Sequence, residues 1–216
     1  MFNKIAMVAE KLSEKSNRLW LRVRENLKNL KKEVLHQKKK KENLSEKKAD
    51  TLIKKHKTTI EKAARHFHVD KYIIAAVIYK EQVSCNYLDN FDTTAGLLGL
   101  DTSVWIGQVK VRTAEKVEKR KYIKEISREE INRAGSEQKA RVARLANDKW
   151  NIEYVSAYLS NLQDIRKKDF PSIYSRPDIL ATLYNIGKEE AHSNPKSNNY
   201  GRDVENIYWH MKQLMW

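Results

Sequence analysis

Residues 73–81, Ile73-Ile74-Ala75-Ala76-Val77-Ile78-Tyr79-Lys80-Glu81, decide how the chain is read. Asp70 stands just upstream, where a helix N-cap belongs, and the apolar residues after it form the buried face of a short helix. Glu81 lies four residues after Val77, three after Ile78 and seven after Ile74, so its side chain continues the apolar stripe. A carboxylate occupies a place where leucine would pack. Desolvation disfavours its anion, and so does the negative end of the helix dipole, so both raise its pKa. An acid that keeps its proton near neutral pH can protonate a departing oxygen. Most glutamates near a helix C-terminus are exposed residues at the edge of a stripe. Other motifs must therefore carry the decision.

Around this stretch lies a chain of 216 residues with 43 Lys+Arg, 28 Asp+Glu, one Cys, three Pro and six Gly. The length suits one domain, or one domain with a helical appendage, and the scarcity of Gly and Pro favours long helices over a turn-rich sandwich. The lone Cys85 excludes an intramolecular disulfide framework and a zinc cluster built from several cysteines. The longest apolar run, Tyr72 to Tyr79, has eight residues, against the roughly 20 that a membrane span needs. After Lys4, Ile5 to Ala9 is interrupted by Glu10 and Lys11, which is too short for the apolar core of a secretory signal.

The basic excess is uneven. Residues 1–60 carry +11 of the net +15, with the densest run at Lys38-Lys39-Lys40-Lys41. In this arm Ile5, Val8, Leu12, Leu19, Val23, Leu27, Leu30 and Val34 lay one stripe along an amphipathic helix. Leu44, Leu52, Ile53 and Ile60 are sparse, which places a flexible or weakly packed junction near residues 38–56. The arm reads as a solvated helix packed on the rest of the chain or a second copy, or as an attachment to a polyanion.

Beyond residue 59, a charged stretch from Glu115 to Lys149 reads as one or two exposed helices broken near Gly135-Ser136. Asn151 is a candidate cap for a helix carrying Ile152, Val155, Leu159 and Leu162, and Asp178 opens the apolar helix Ile179 to Tyr184. Asn194-Pro195 through Gly201 is a turn-rich link before a last helix with Val204, Ile207, Tyr208, Met211 and Leu214. Strand signal is confined to a short hairpin between Tyr87 and Gln108.

Three blocks share one resemblance. Ile73 to Glu81 resembles the catalytic-helix motif of the lysozyme-like superfamily, in its lytic transglycosylase and goose-type lysozyme branch, with Gln82 where that family commonly has Ser. Trp105-Ile106-Gly107-Gln108 with the trailing Thr113-Ala114 is similar to the family's Gly-Leu-Met-Gln block, with Trp105 in place of the usual Gly. Leu183-Tyr184-Asn185-Ile186-Gly187 is similar to its Tyr-Asn-x-Gly motif. The blocks come in the family's order, and Gln108 follows Glu81 by 27 residues and precedes Asn185 by 77. The resemblance covers roughly 66–210 and leaves the basic arm unexplained.

It implies cleavage of the β-1,4 bond between N-acetylmuramic acid and N-acetylglucosamine in peptidoglycan. Glu81 is then the acid that protonates the glycosidic oxygen and later acts as base. Gln108 lines the cleft and binds the sugar, and Tyr184 and Asn185 orient Glu81 and the glycan. The residue types suit an oxocarbenium-like state, because neutral amides and a phenol hold hydroxyls without trapping the developing cation. Taken singly, Gln108 could be a loop amide and Tyr184-Asn185 a packing contact and a helix stop before Gly187. A hydrolase needs a second carboxylate, for which Asp89, Asp92 and Asp101 are available. A lytic transglycosylase uses the substrate's own muramyl hydroxyl instead.

His66 and His68 lack a further clustered ligand, Cys85 has no peptidase signature, and no Gly-rich phosphate loop is present, so no metal or cofactor is expected. The expected architecture is mainly α: a basic amphipathic arm and linker over 1–58, then a lysozyme-like catalytic domain over 59–216. The expected partner is the peptidoglycan glycan strand. Residues 1–58 would contact a secretion machine, a second copy or an anionic polymer, with nucleic acid disfavoured. Synthesis in the cytoplasm without a signal peptide implies that the protein reaches the wall by non-classical export or lysis, as a bacteriolytic effector or phage-type lysin. The rival is a non-enzymatic adaptor of the same fold whose arm binds a partner or nucleic acid.

Overall fold

A computed structural model describes residues 44–84, 103–104, 106–187 and 195–216. The arm stripe, the Lys38–Lys41 run, Cys85, Asp89, Asp92, Asp101 and Trp105 lie outside the described residues. One compact unit spans Ser45–Trp216.

Helix α1 covers 44–67. Ala49, Ile53, Ile60, Ala63 and Phe67 are buried along one face, so the second half of the stretch read as a weakly packed junction is helix with a packed stripe. Alanines fill the gaps that made the apolar residues look sparse. His68, at φ +54°, turns the chain out of the helix, and Val69 N–H donates to Ala64 O at 3.1 Å, closing a C-terminal cap.

Asp70 caps the next helix, α2 (Lys71–Ser84), by accepting the Tyr72 N–H at 2.8 Å. Every residue from Ile73 to Tyr79 is buried, because α2 is the central helix and is enclosed on all sides. A two-stranded antiparallel hairpin follows, β1 (Ser103–Val104) and β2 (Val109–Lys110), with Val104 opposite Val109.

After it come α3 (Val111–Lys119), α4 (Arg128–Ala134), α5 (Glu137–Leu145) and the long α6 (Asp148–Arg166). A 3-10 turn (Pro171–Ser175) leads to α7 (Pro177–Ile186) and α8 (Asn199–Leu214). Helices α8, α6 and α7 all pack on α2, and α7 packs closely on α8.

The charged stretch after Glu115 forms three helices, and it is less exposed than its composition suggests. Glu118, Arg141 and Arg144 are buried. Arg141 donates to Glu118 Oε2 from Nε (2.9 Å) and Nη2 (2.8 Å), and Tyr154 donates its phenol to the same carboxylate. Arg144 forks onto both oxygens of Glu130 at 2.7 Å and also donates to the carbonyl of Lys124. Charges enter this core because each arrives with its partner. The carboxyl of Glu130 is held down to about 2 by the Arg144 guanidinium, assisted by its capping box with Ser127.

Asn147, not Asn151, caps α6, accepting the Trp150 N–H at 3.2 Å. Asn151 lies one turn inside and is wholly buried. It serves the site described next.

Candidate active site

Glu81 sits in the last turn of α2, half-buried, on the wall of a cleft of about 340 Å³ that Gln108, Thr113, Tyr158, Tyr184 and Asn185 also line. All four residues singled out in the sequence thus meet in one hollow, although they come from α2, the hairpin turn and the end of α7. Burial raises the Glu81 pKa above its ordinary 4.5; the Tyr200 hydroxyl, 2.6 Å from Oε1, and the Lys80 ammonium partly offset that rise. Lys80 is itself held by Asp203 at 2.7 Å. Desolvation thus favours the protonated acid, while the phenol and the ammonium favour the anion that proton transfer leaves.

Tyr200 was missed in the sequence, where it falls in a stretch read only as a turn-rich link. Its placement depends on Gly201. A Cβ at Gly201 would lie 2.1 Å from both Asp178 O and Thr182 Oγ1, so only glycine lets the start of α8 rest against α7. Asn198 caps α8 by accepting the Gly201 N–H at 2.8 Å, and it exchanges hydrogen bonds with the Thr182 hydroxyl at 3.1 Å. The Asn198-Asn199-Tyr200-Gly201 run, with an asparagine N-cap, was the available signal. It showed where a helix begins but not what its first turn touches.

The hairpin turn is fixed just as tightly. Asn151 Oδ1 accepts the Gly107 N–H at 2.9 Å while its Nδ2 donates to Leu145 O at 2.8 Å. A Cβ on Gly107 would fall 2.2 Å from Val155 Cγ2. Tyr184 donates its phenol to Gly107 O at 2.7 Å, and Gln82 donates to Ile106 O at 3.1 Å. Tyr184 thus positions the turn beside Glu81 without bonding the acid itself. The turn ends at Gln108 with φ +48°, a left-handed conformation uncommon for non-glycine residues that His68 and Lys121 also adopt where the chain turns.

Burial, and next the nearby Glu81 carboxylate, push the phenols of Tyr184 and Tyr200 well above their ordinary range. Both therefore remain neutral donors around neutral pH. Tyr158 packs against Tyr184 with ring centroids 5.5 Å apart and completes the aromatic wall. Asn185 is exposed and accepts from Asn198 Nδ2 at 3.4 Å, and Gly187 at φ +65° closes α7 behind it. Among the described residues lining the cleft, Glu81 is the sole carboxylate. Lys110 is their one cation. Such a cleft can donate a proton at one point and hold neutral hydroxyls and amides around it.

Residues 42–164 match the model of the family described as "T6SS, Peptidoglycan muramidase Tse3, catalytic domain". The match includes Glu81 and Gln108 and ends before Tyr184, Asn185 and Tyr200. A comparison with curated proteins finds no match.

Proposed function

The chain belongs to this family of type VI secretion peptidoglycan muramidase catalytic domains, a lysozyme-like family, and on that premise we propose that Glu81 is the general acid and base that cuts the β-1,4 bond between N-acetylmuramic acid and N-acetylglucosamine. The protein is a peptidoglycan-cleaving enzyme of the bacteriolytic effector kind. The observation that carries the assignment to Glu81 is a desolvated carboxyl with a phenol 2.6 Å away, in a sugar-sized cleft lined mainly by amides, hydroxyls and aromatic rings with Lys110 as its one cation.

In the first half of the reaction Glu81 gives its proton to the glycosidic oxygen as the bond to the muramyl C1 breaks. The carboxylate left behind is stabilised by the Tyr200 hydroxyl and the Lys80 charge. In the second half it takes a proton from the oxygen that attacks C1, which restores the acid. We assign that oxygen to water, a reading supported by the family's description as muramidases. Gln108 and Asn185 hold the sugar or its N-acetyl group, and Tyr184 keeps the Gly107–Gln108 turn in place. Delivery by a type VI machine to the target cell's wall fits the family, and the basic arm is the proposed contact for that machine, for a second copy or for an anionic polymer.

Mass spectrometry of muropeptides released from purified sacculi tests the chemistry. Reducing muramyl ends are expected. Anhydro ends would transfer the attack to the muramyl hydroxyl, and continued release by Glu81→Gln would remove the acid assignment.

A further inference from the structure

At the opposite end of α2 lies a second hollow of about 400 Å³, lined by Asp70, Gln163, Tyr174, Glu205, Tyr208 and Trp209 among others. It is eleven residues from Glu81 along the helix, about 16 Å at the α-helical rise, and shares no lining residue with the catalytic cleft. Two large apolar side chains stand out into solvent here, Trp209 at 59% and Tyr174 at 54% exposure. Single exposed aromatics are ordinary, but two on the rim of one hollow make a surface suited to a ligand.

Tyr208 and Trp209 are held in place before anything binds. Tyr208 donates its hydroxyl to Asp70 at 2.6 Å, and the Lys212 ammonium lies 4.4 Å from the Trp209 ring centroid and 4.8 Å from that of Tyr208. Gln163 gives the independent observation. It is only 5% exposed and lines the hollow, yet its side-chain amide bonds no described residue. Its amide atoms stay open to the hollow, unlike the sealed and unbonded atoms of Asn161 and Arg166, so a ligand or solvent there can bond them.

The lining selects the ligand class. Asp70 and Glu205 oppose an anion, the Lys212 charge is already engaged with the rings, and the polar rim is too rich for a purely apolar guest. A neutral pyranose has an apolar C–H face to lie on a ring and a rim of hydroxyl and acetamido groups to meet an amide and carboxylates. We propose that this hollow is a second, non-catalytic glycan site that seats an N-acetylhexosamine ring of the peptidoglycan strand on Trp209 and Tyr174, with the Gln163 amide bonding its polar rim.

The proposal rests on the peptidoglycan reading and extends it. The site is too far from Glu81 for one disaccharide to reach both, so it acts on polymer. Holding the strand at one point raises its effective concentration at the other.

The test uses the full chain carrying Glu81→Gln, co-sedimented with purified sacculi. Adding Trp209→Ala or Tyr174→Ala should weaken binding about three- to tenfold, the loss of one aromatic stacking contact, and Gln163→Leu should weaken it in the same direction. Peptide-free glycan strands should compete for the site. In the active enzyme, Trp209→Ala should raise KM on sacculi and leave kcat/KM on a soluble tetrasaccharide unchanged. Sedimentation and KM at parental values would overturn the proposal. So would competition by stem peptides in place of glycan, or an equal fall in activity on the tetrasaccharide. These outcomes are separable from failure of the catalytic assignment, which is read from sacculus clearing by Glu81→Gln alone.

Discussion

Two glutamates sit against the same helical core and have opposite surroundings. Glu118 is 2% exposed, and a forked arginine and a phenol meet its carboxylate. Glu81 is less buried, yet its direct bond is a single neutral hydroxyl, and its pKa is raised. A cation beside a carboxylate yields a structural ion pair, at Glu118 under full burial and at the partly exposed Glu130, whose carboxyl Arg144 drives to about 2. Burial with a neutral donor as its one direct bond, and Lys80 acting only through its charge, leaves Glu81 with a raised pKa. The partner, more than the depth, separates the scaffold from the chemistry.

The largest test of that contrast is Glu81→Gln. It should lower sacculus clearing by about 10²- to 10⁴-fold, the range for a general acid, while the melting temperature holds or rises. The sign of the pH effect follows from the raised pKa. Above 4.5 the folded state binds more protons at this site than the unfolded state, so Glu81 reduces stability as pH rises through its folded pKa. The variant should lose that decline and gain on the parent as pH rises. For Glu130 the sign is opposite. Its contribution is present above 4.5 and is lost as pH falls toward about 2, so an acid titration of Glu130→Gln should be flatter there.

Arg141→Met tests the other region. Leaving Glu118 buried without its guanidinium should cost about 3–5 kcal/mol in urea denaturation, with kcat per folded molecule little changed. Its partnered double variant, Glu118→Gln with Arg141→Met, should recover part of the loss, which would identify the pair and not either residue as the stabilising unit. Gly201→Ala joins stability to function. Forcing a Cβ against Asp178 O and Thr182 Oγ1 should cost about 1–3 kcal/mol and lower kcat as Tyr200 shifts from Glu81.

How much of this the sequence disclosed follows from the range of the forces involved. Asp70 as a cap, the buried face of α2 and Glu81 at its end are local facts written in a 3.6-residue period, and they were legible. Motif order brought out Gln108, Tyr184 and Asn185. Tyr200 was not legible because its role depends on α8 crossing α2 at a separation of 119 residues from Glu81. The buried charges of α3 and α5 were misread as exposed because composition records charge and not pairing. Residue type suggests Asn151 as a cap, whereas Asn147 one turn earlier does the capping and Asn151 anchors Gly107. Cap propensity marks a helix start only to within a turn.

The smallest expected change is also the most direct test. Tyr200→Phe removes the donor that lowers the Glu81 pKa and should move it further up, with a modest change in maximal rate. Carbon-13 titration of the Glu81 carboxyl, run beside the pH profile of kcat/KM on sacculi, should give one common midpoint above 4.5 that limits activity on its alkaline side and shifts upward in Tyr200→Phe. A Glu81 that titrates at or below 4.5, or an alkaline limb indifferent to Tyr200, would contradict the account.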